Sequence, residues 1–221
     1  SAIPATGAPG RALTMGDACG VGPEIIARWW GQGAHAATVV GCPQVLQRAA
    51  ECLPIGDRPK VVRLASWADG GALPAGHMGV WAPPGLPLDL IEAPWGRVDR
   101  RAGVAAAACI RAAVRLAQSG DAAGIVTAPL HKEALALAGE PYPGHTELLQ
   151  AEGTPPGQPI APVRMMLANP QLKTVLVTIH VSLRQAIEQV TFDAVLETLR
   201  ITHRSAQLWG QPRARIGVAG L

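Results

Sequence analysis

Short apolar runs alternate along the chain with amphipathic or alanine-rich stretches, and turns containing Gly or Pro separate them. A run of a few apolar residues closed by turn residues reads as a buried strand, and a recurrence every three to four residues reads as a helix. The pattern predicts strands at 12–15, 36–40, 60–64, 79–82, 123–127, 162–168, 174–179 and 215–221. It predicts helices from Pro23 to about Trp30 and over 43–52, 103–119, 129–138, 182–189 and 192–209. Pro23 and Glu24 suit a first helical turn: proline gives up an amide that has no partner there, and glutamate complements the positive helix end. Strands alternating with helices imply an α/β fold with a largely parallel sheet, and the runs at 162–168 and 174–179 are apolar enough for a sheet covered on both faces. Such sheets bind ligands beyond the carboxyl ends of their strands, which directs attention to the residues after Met15, Val126 and Ile179.

Composition narrows the classes. Of 221 residues, 48% are hydrophobic and 16% charged, which excludes a disordered chain. The net charge of +3 is mild, and the densest basic spot, Arg97, Arg100 and Arg101 beside Asp99, reads as a solvated loop. Six Trp, one Tyr and one Phe are too few for a nucleic-acid stacking platform, so no nucleic-acid partner is expected. No apolar run has the length of a membrane span and no signal-peptide pattern is visible, so the expected location is the cytoplasm. The four cysteines form no CxxC pair and no zinc-finger spacing. Reduced thiols are expected, with Cys109 buried in a small-residue run.

Four elements could carry chemistry. The first is the glycine-rich turn Gly16-Asp17-Ala18-Cys19-Gly20-Val21-Gly22, which is neither a Walker A loop nor a dinucleotide fingerprint. It reads as a capped turn or as an anion site at a helix start. The second is Val126-Thr127-Ala128-Pro129-Leu130-His131-Lys132, whose Lys132 is one of only three lysines. A compact, movable cation after a strand is either a solvated side chain or a ligand contact. The third is Pro143-Gly144-His145-Thr146-Glu147, where His145 or Thr146 either caps a helix or binds anionic oxygens. The fourth is His180, a titratable group following an apolar run; one histidine alone is not a metal site. No G-x-S-x-G or H-E-x-x-H motif occurs.

In series, these elements together with Met165-Met166-Leu167 and Val177-Thr178-Ile179-His180-Val181-Ser182-Leu183-Arg184 resemble the 4-hydroxythreonine-4-phosphate dehydrogenase (PdxA) family of vitamin B6 biosynthesis. The resemblance implies an isocitrate/isopropylmalate dehydrogenase-like fold of two α/β domains. The first would be 1–125, to which the family chain returns later, and the second 126–221. It implies a homodimer with a shared active site; no membrane partner is expected, because no apolar run has the length of a span. The implied activity is an NAD- or NADP-dependent oxidation of a hydroxy acid such as 4-phosphohydroxy-L-threonine, with decarboxylation. A divalent metal (Zn, Mg or Co) would assist as a Lewis acid. By motif, His145 and Thr146 would bind substrate, His180 would be one metal ligand, and Lys132 and Asp17 would support the site.

Two departures accompany the resemblance. The family reads Asp-Pro-Ala-Gly where this chain has Asp17-Ala18-Cys19-Gly20. The family also continues past the strand expected to end at Leu221 into Asn-Pro-His-Ala-Gly-Glu, with the remaining metal ligands and most of the nucleotide site downstream. The expectation is therefore a C-terminally incomplete dehydrogenase subunit. The alternatives are a relative acting on another 4-phospho-hydroxy acid or an aromatic cis-dihydrodiol carboxylate, and a non-enzymatic truncated binding module.

Overall fold

A computed structural model describes residues 10–33 and 35–219. They fall into two compact units that meet in sequence at Ile160 and Ala161. The expected boundary at 125/126 falls inside a strand of the first unit's sheet.

That sheet has five strands, β1 (Arg11–Thr14), β2 (Ala37–Val40), β3 (Lys60–Leu64), β4 (His77–Trp81) and β5 (Gly124–Thr127), in the order β3-β4-β2-β1-β5. Every pairing is parallel. Side chains alternate across the sheet, as the pleat requires. Leu13, Val39 and Val80 meet Ile26 and Trp30 of helix α1 (Gly22–Trp30) and Val45 and Leu46 of α2 (Pro43–Glu51). Ala12 and Val40 point the other way, toward Cys109, Ala112 and Ala113 of α3 (Arg100–Ser119). The small residues of α3 let it lie close to its neighbours. At Gly103 a Cβ would be driven into the carbonyl of Ala134, so this glycine sets how near α4 (Lys132–Leu137) can come. The helix starts at Asp99, whose carboxylate accepts from the Arg101 amide at 2.8 Å, and stops at Gly120 in the left-handed region. Arg101 is not a freely solvated loop residue: it pairs with Asp99 at 2.8 Å and Asp89 at 3.1 Å.

Helix α5 (His145–Gly153) completes the first unit. Its buried residue is Leu148, which packs with Ala107, Ile110, Val114 and Leu135.

The second unit carries β6 (Met166–Ala168), β7 (Lys173–Val175), α6 (Leu183–Gln189) and α7 (Phe192–Leu208). Here the expected parallel, doubly covered strands are corrected. β6 and β7 form an antiparallel pair, and Leu167 is 60% exposed. The cause is the connection: the Asn169 carboxamide oxygen accepts from the Gln171 and Leu172 amides at 2.9 and 2.7 Å. A turn this short returns the chain beside itself, whereas a parallel crossover needs a dozen residues or more. Of the expected strand at 215–221, residues 215–219 adopt no regular structure, and 220–221 lie outside the described residues. A strand exists only where a neighbour takes its backbone groups, and none does so at 215–219 among the described residues.

Candidate active site

The loops leaving β1 and β5 are joined at the carboxyl end of the sheet. The Ala128 amide donates to the Thr14 carbonyl at 3.1 Å, and the Asp17 amide donates to the Pro129 carbonyl at 2.9 Å. Gly16 makes this approach possible: its φ is +73°, and a Cβ there would collide with the carbonyl oxygens of Ala128 and Pro129. Asp17 is 8% exposed, and its Oδ1 accepts from the Cys19 amide at 2.9 Å. One carboxylate oxygen thus holds the loop's own backbone. The loop is also tied from outside. Gly96 donates its amide to the Cys19 carbonyl at 2.8 Å, and Arg48, stacked over Trp95, donates to the Ala18 carbonyl at 3.4 Å. Burial, followed by the Asp17 charge, pushes the Cys19 thiol up to about 11.

Beyond β5 the helix begins at Lys132, later than the expected Pro129. His131 is its N-cap, with Nδ1 accepting from the Ala134 amide at 3.4 Å. His131 is therefore a cap, and Lys132 is an exposed residue of the first turn. Gly144 is the buried N-cap of α5 and offers no side chain. A Cβ at Gly144 would lie 3.7 Å from Lys132 Cε and 3.6 Å from Glu147 Oε2, so these two side chains flank it.

His145 and Thr146 are the first residues of α5 and cap nothing. The imidazole is half-buried, and burial lowers its pKa. Its Nε2 is enclosed and has no hydrogen-bond partner among the described residues. A buried polar atom left unpaired costs about 1–3 kcal/mol, so it is a position where an incoming hydrogen-bonding atom gains free energy.

His180 belongs to the second unit. β7 ends at Val175, so His180 sits in a bend beyond it and is exposed. With φ at +56° it is the one non-glycine residue in the left-handed region among the described residues. Such strain concentrates at functional positions. Among the described residues no three His, Cys, Asp or Glu side chains converge into a metal-binding group, so those residues do not by themselves build a metal site.

Sequence reasoning missed Arg111 on α3. Its guanidinium bonds both oxygens of Glu140, at 2.6 and 2.7 Å, and Glu152 of α5 at 2.7 Å. The available signal was a long cation on the small-residue helix α3. Arg164 was missed as well; in the second unit it ties Thr198 and Glu197 of α7 at 2.8 and 2.7 Å.

Comparison with known proteins places this arrangement. A 4-hydroxythreonine-4-phosphate dehydrogenase of Beijerinckia indica is 43% identical over 95% of this chain and 60% of its own length. A D-threonate 4-phosphate dehydrogenase of Salmonella typhimurium is 35% identical over 95% of this chain and 62% of its own. The crystal structure of a 4-hydroxythreonine-4-phosphate dehydrogenase from Klebsiella pneumoniae superposes with a TM-score of 0.85 at 37% identity, over 97% of this chain and 63% of that one. The chain thus spans about three-fifths of the length of these relatives. The model of the pyridoxal phosphate biosynthetic protein PdxA matches residues 34–221, and the chain belongs to that family.

Proposed function

We propose that the protein containing this chain oxidises a phosphorylated hydroxy acid such as 4-phosphohydroxy-L-threonine, in pyridoxal 5'-phosphate biosynthesis. NAD or NADP would accept the hydride, and a divalent metal would polarise the hydroxyl, the resulting β-keto acid then losing carbon dioxide. The fold of the whole subunit would be isocitrate/isopropylmalate dehydrogenase-like, working as a homodimer. The observation that carries the reading is the enclosed, unpartnered Nε2 of His145, in a helix start whose N-cap Gly144 is flanked by Lys132.

The residues of this chain bind and orient. His145, kept neutral by burial, presents one ring nitrogen to a substrate oxygen or its proton, and Thr146 adds a hydroxyl in the same turn. Lys132 supplies a positive charge next to that turn, suited to a phosphate or carboxylate. Asp17 keeps the adjoining loop closed on itself. His180 would contribute one donor to a metal whose other ligands, with most of the nucleotide site, come from beyond Leu221.

The 35% identical relative named for D-threonate 4-phosphate favours a second substrate of the same class, bearing a hydroxyl where hydroxythreonine has an amine. Reduction of NAD and NADP by the full-length protein, with each of these two phosphorylated acids and with an aromatic cis-dihydrodiol dicarboxylate, tests the reading. Turnover of 4-phosphohydroxy-L-threonine is expected. Turnover of D-threonate 4-phosphate alone would move the assignment to the second substrate, and turnover of the dihydrodiol alone would remove both.

A further inference from the structure

We propose that Arg111 is a positioning residue: through its ion pairs with Glu140 and Glu152 it holds α5 so that His145 and Thr146 face the substrate. The proposal rests on the reading of that turn as a substrate contact.

Helix α5 is nine residues long, too short to be stable by itself, and Leu148 is its buried anchor. Leu148, with Leu149 partly buried beside it, fixes the middle of the helix and leaves its ends to other contacts. Arg111 supplies a polar constraint toward both ends. It stands on the face of α3 that also presents Ala107, Ile110 and Val114 to Leu148. Its fork grips Glu140, in the connection that leads into His145, and Glu152, near the other end of the helix. Gln118, two turns farther along α3, donates to the carbonyls of Glu152 and Gly153 at 3.4 and 3.2 Å.

The three charged side chains are largely shielded, at 33% exposure for Arg111, 12% for Glu140 and 28% for Glu152. Without the guanidinium, two carboxylates would face one another in that shielded space and repel. The planar fork also excludes lysine as an equivalent, because an ammonium cannot make the bidentate contact. Arg111 touches neither His145 nor Thr146 in the described contacts, so any effect on substrate travels through the helix.

The test uses the full-length protein carrying Arg111→Met, Arg111→Lys, Glu140→Gln, or the triple change Arg111→Met/Glu140→Gln/Glu152→Gln. The expected result for Arg111→Met is a rise of about tenfold or more in KM for 4-phosphohydroxy-L-threonine, since small misplacements of a binding group carry losses of that order. The KM for the nucleotide should stay within about twofold, and amide exchange in the first turn of α5 should quicken. Arg111→Lys should recover little, and the triple variant, free of the stranded carboxylates but also of the fork, should recover thermal stability while its substrate KM stays raised. Should Arg111→Met not fold, Glu140→Gln weakens the same fork with little change of shape and should raise KM in the same direction. Lower thermal stability with an unchanged substrate KM would overturn the proposal. His145→Ala and Thr146→Val run alongside: if they leave substrate KM unchanged, the substrate-facing reading of the turn fails and the proposal falls with it. If they raise KM while the Arg111 variants do not, the proposal alone fails.

Discussion

The backbone amide of Asp17 donates to the carbonyl of Pro129 at 2.9 Å, and this bond closes the gap between the loops that leave two adjacent parallel strands. It makes one platform of segments more than a hundred residues apart in sequence, and it carries Lys132 three residues beyond the joint.

The joint depends on Gly16. Alanine there would have to hold a φ of +73° and place its Cβ against two carbonyl oxygens. Neither is relieved by a side-chain rotation, because the obstacles are backbone. Gly16→Ala is expected to lower unfolding stability by about 2 kcal/mol or more, read from urea titration. A loss within about 0.5 kcal/mol would show that the two loops can separate at little cost.

Gly103 plays the same part between helices. A methyl group there meets the carbonyl of Ala134, and α4 has no room to yield without moving Leu135, which is fully buried. Gly103→Ala raises helix propensity, a gain of about 1 kcal/mol. Overpacking costs about 1–3 kcal/mol. The net expectation is destabilisation, and a raised melting temperature would contradict it.

His145 titrates below the ordinary imidazole value because burial disfavours its charged form. In the unfolded chain the ring takes up its proton near pH 6.5, before the folded protein does. The unfolded state therefore gains protons first as pH falls, and the stability linked to this group is present above about pH 6.5 and declines below it. Wild-type protein should lose stability between pH 7.5 and 5.5 more steeply than His145→Asn, in parallel denaturant titrations. Equal slopes would mean that burial does not govern this ring.

Most of the first unit was legible in the chain because its signals are local. The run at Lys60–Leu64 is a strand with the expected bounds, and Pro23 and Pro43 mark helix starts where proline's missing amide costs nothing. The second unit was harder because Asn169 decides strand direction there, and an apolar run looks the same in a parallel or an antiparallel pair. Arg111 was invisible for another reason: its partners lie 29 and 41 residues away, and no local pattern joins them. For the third motif, capping and binding were equally open from sequence. Gly144 takes the cap position, which leaves His145 and Thr146 free for other contacts.

Thiol chemistry gives an independent check on the packing. Cys19, Cys42 and Cys109 are buried, Cys52 is exposed, and all four are free. Burial pushes the Cys19 thiol to about 11 and the Cys109 thiol to about 12. Near pH 8 burial therefore keeps the Cys19 and Cys109 thiols protonated, and the thiolate is the reacting species. One fast-reacting thiol per chain is expected with a disulfide reagent under native conditions, and Cys52→Ser should remove it. A second fast thiol surviving in that variant would show that the loop at Cys19 or the packing of α3 opens readily.

His180 combines two features that substitution can separate. Its backbone occupies the left-handed region, and its side chain is the proposed metal donor. Glycine satisfies the backbone at no steric cost but supplies no imidazole, whereas alanine loses the imidazole and keeps the strain, worth about 1–2 kcal/mol. In the full-length protein, His180→Gly should therefore be at least as stable as His180→Ala by thermal unfolding. Both should lose metal-dependent turnover, and metal binding measured by calorimetry should weaken in both. Unchanged turnover in either variant would show that His180 is not a ligand. Loss of turnover in His180→Ala but not in His180→Gly would place the requirement in the backbone bend rather than in the ring.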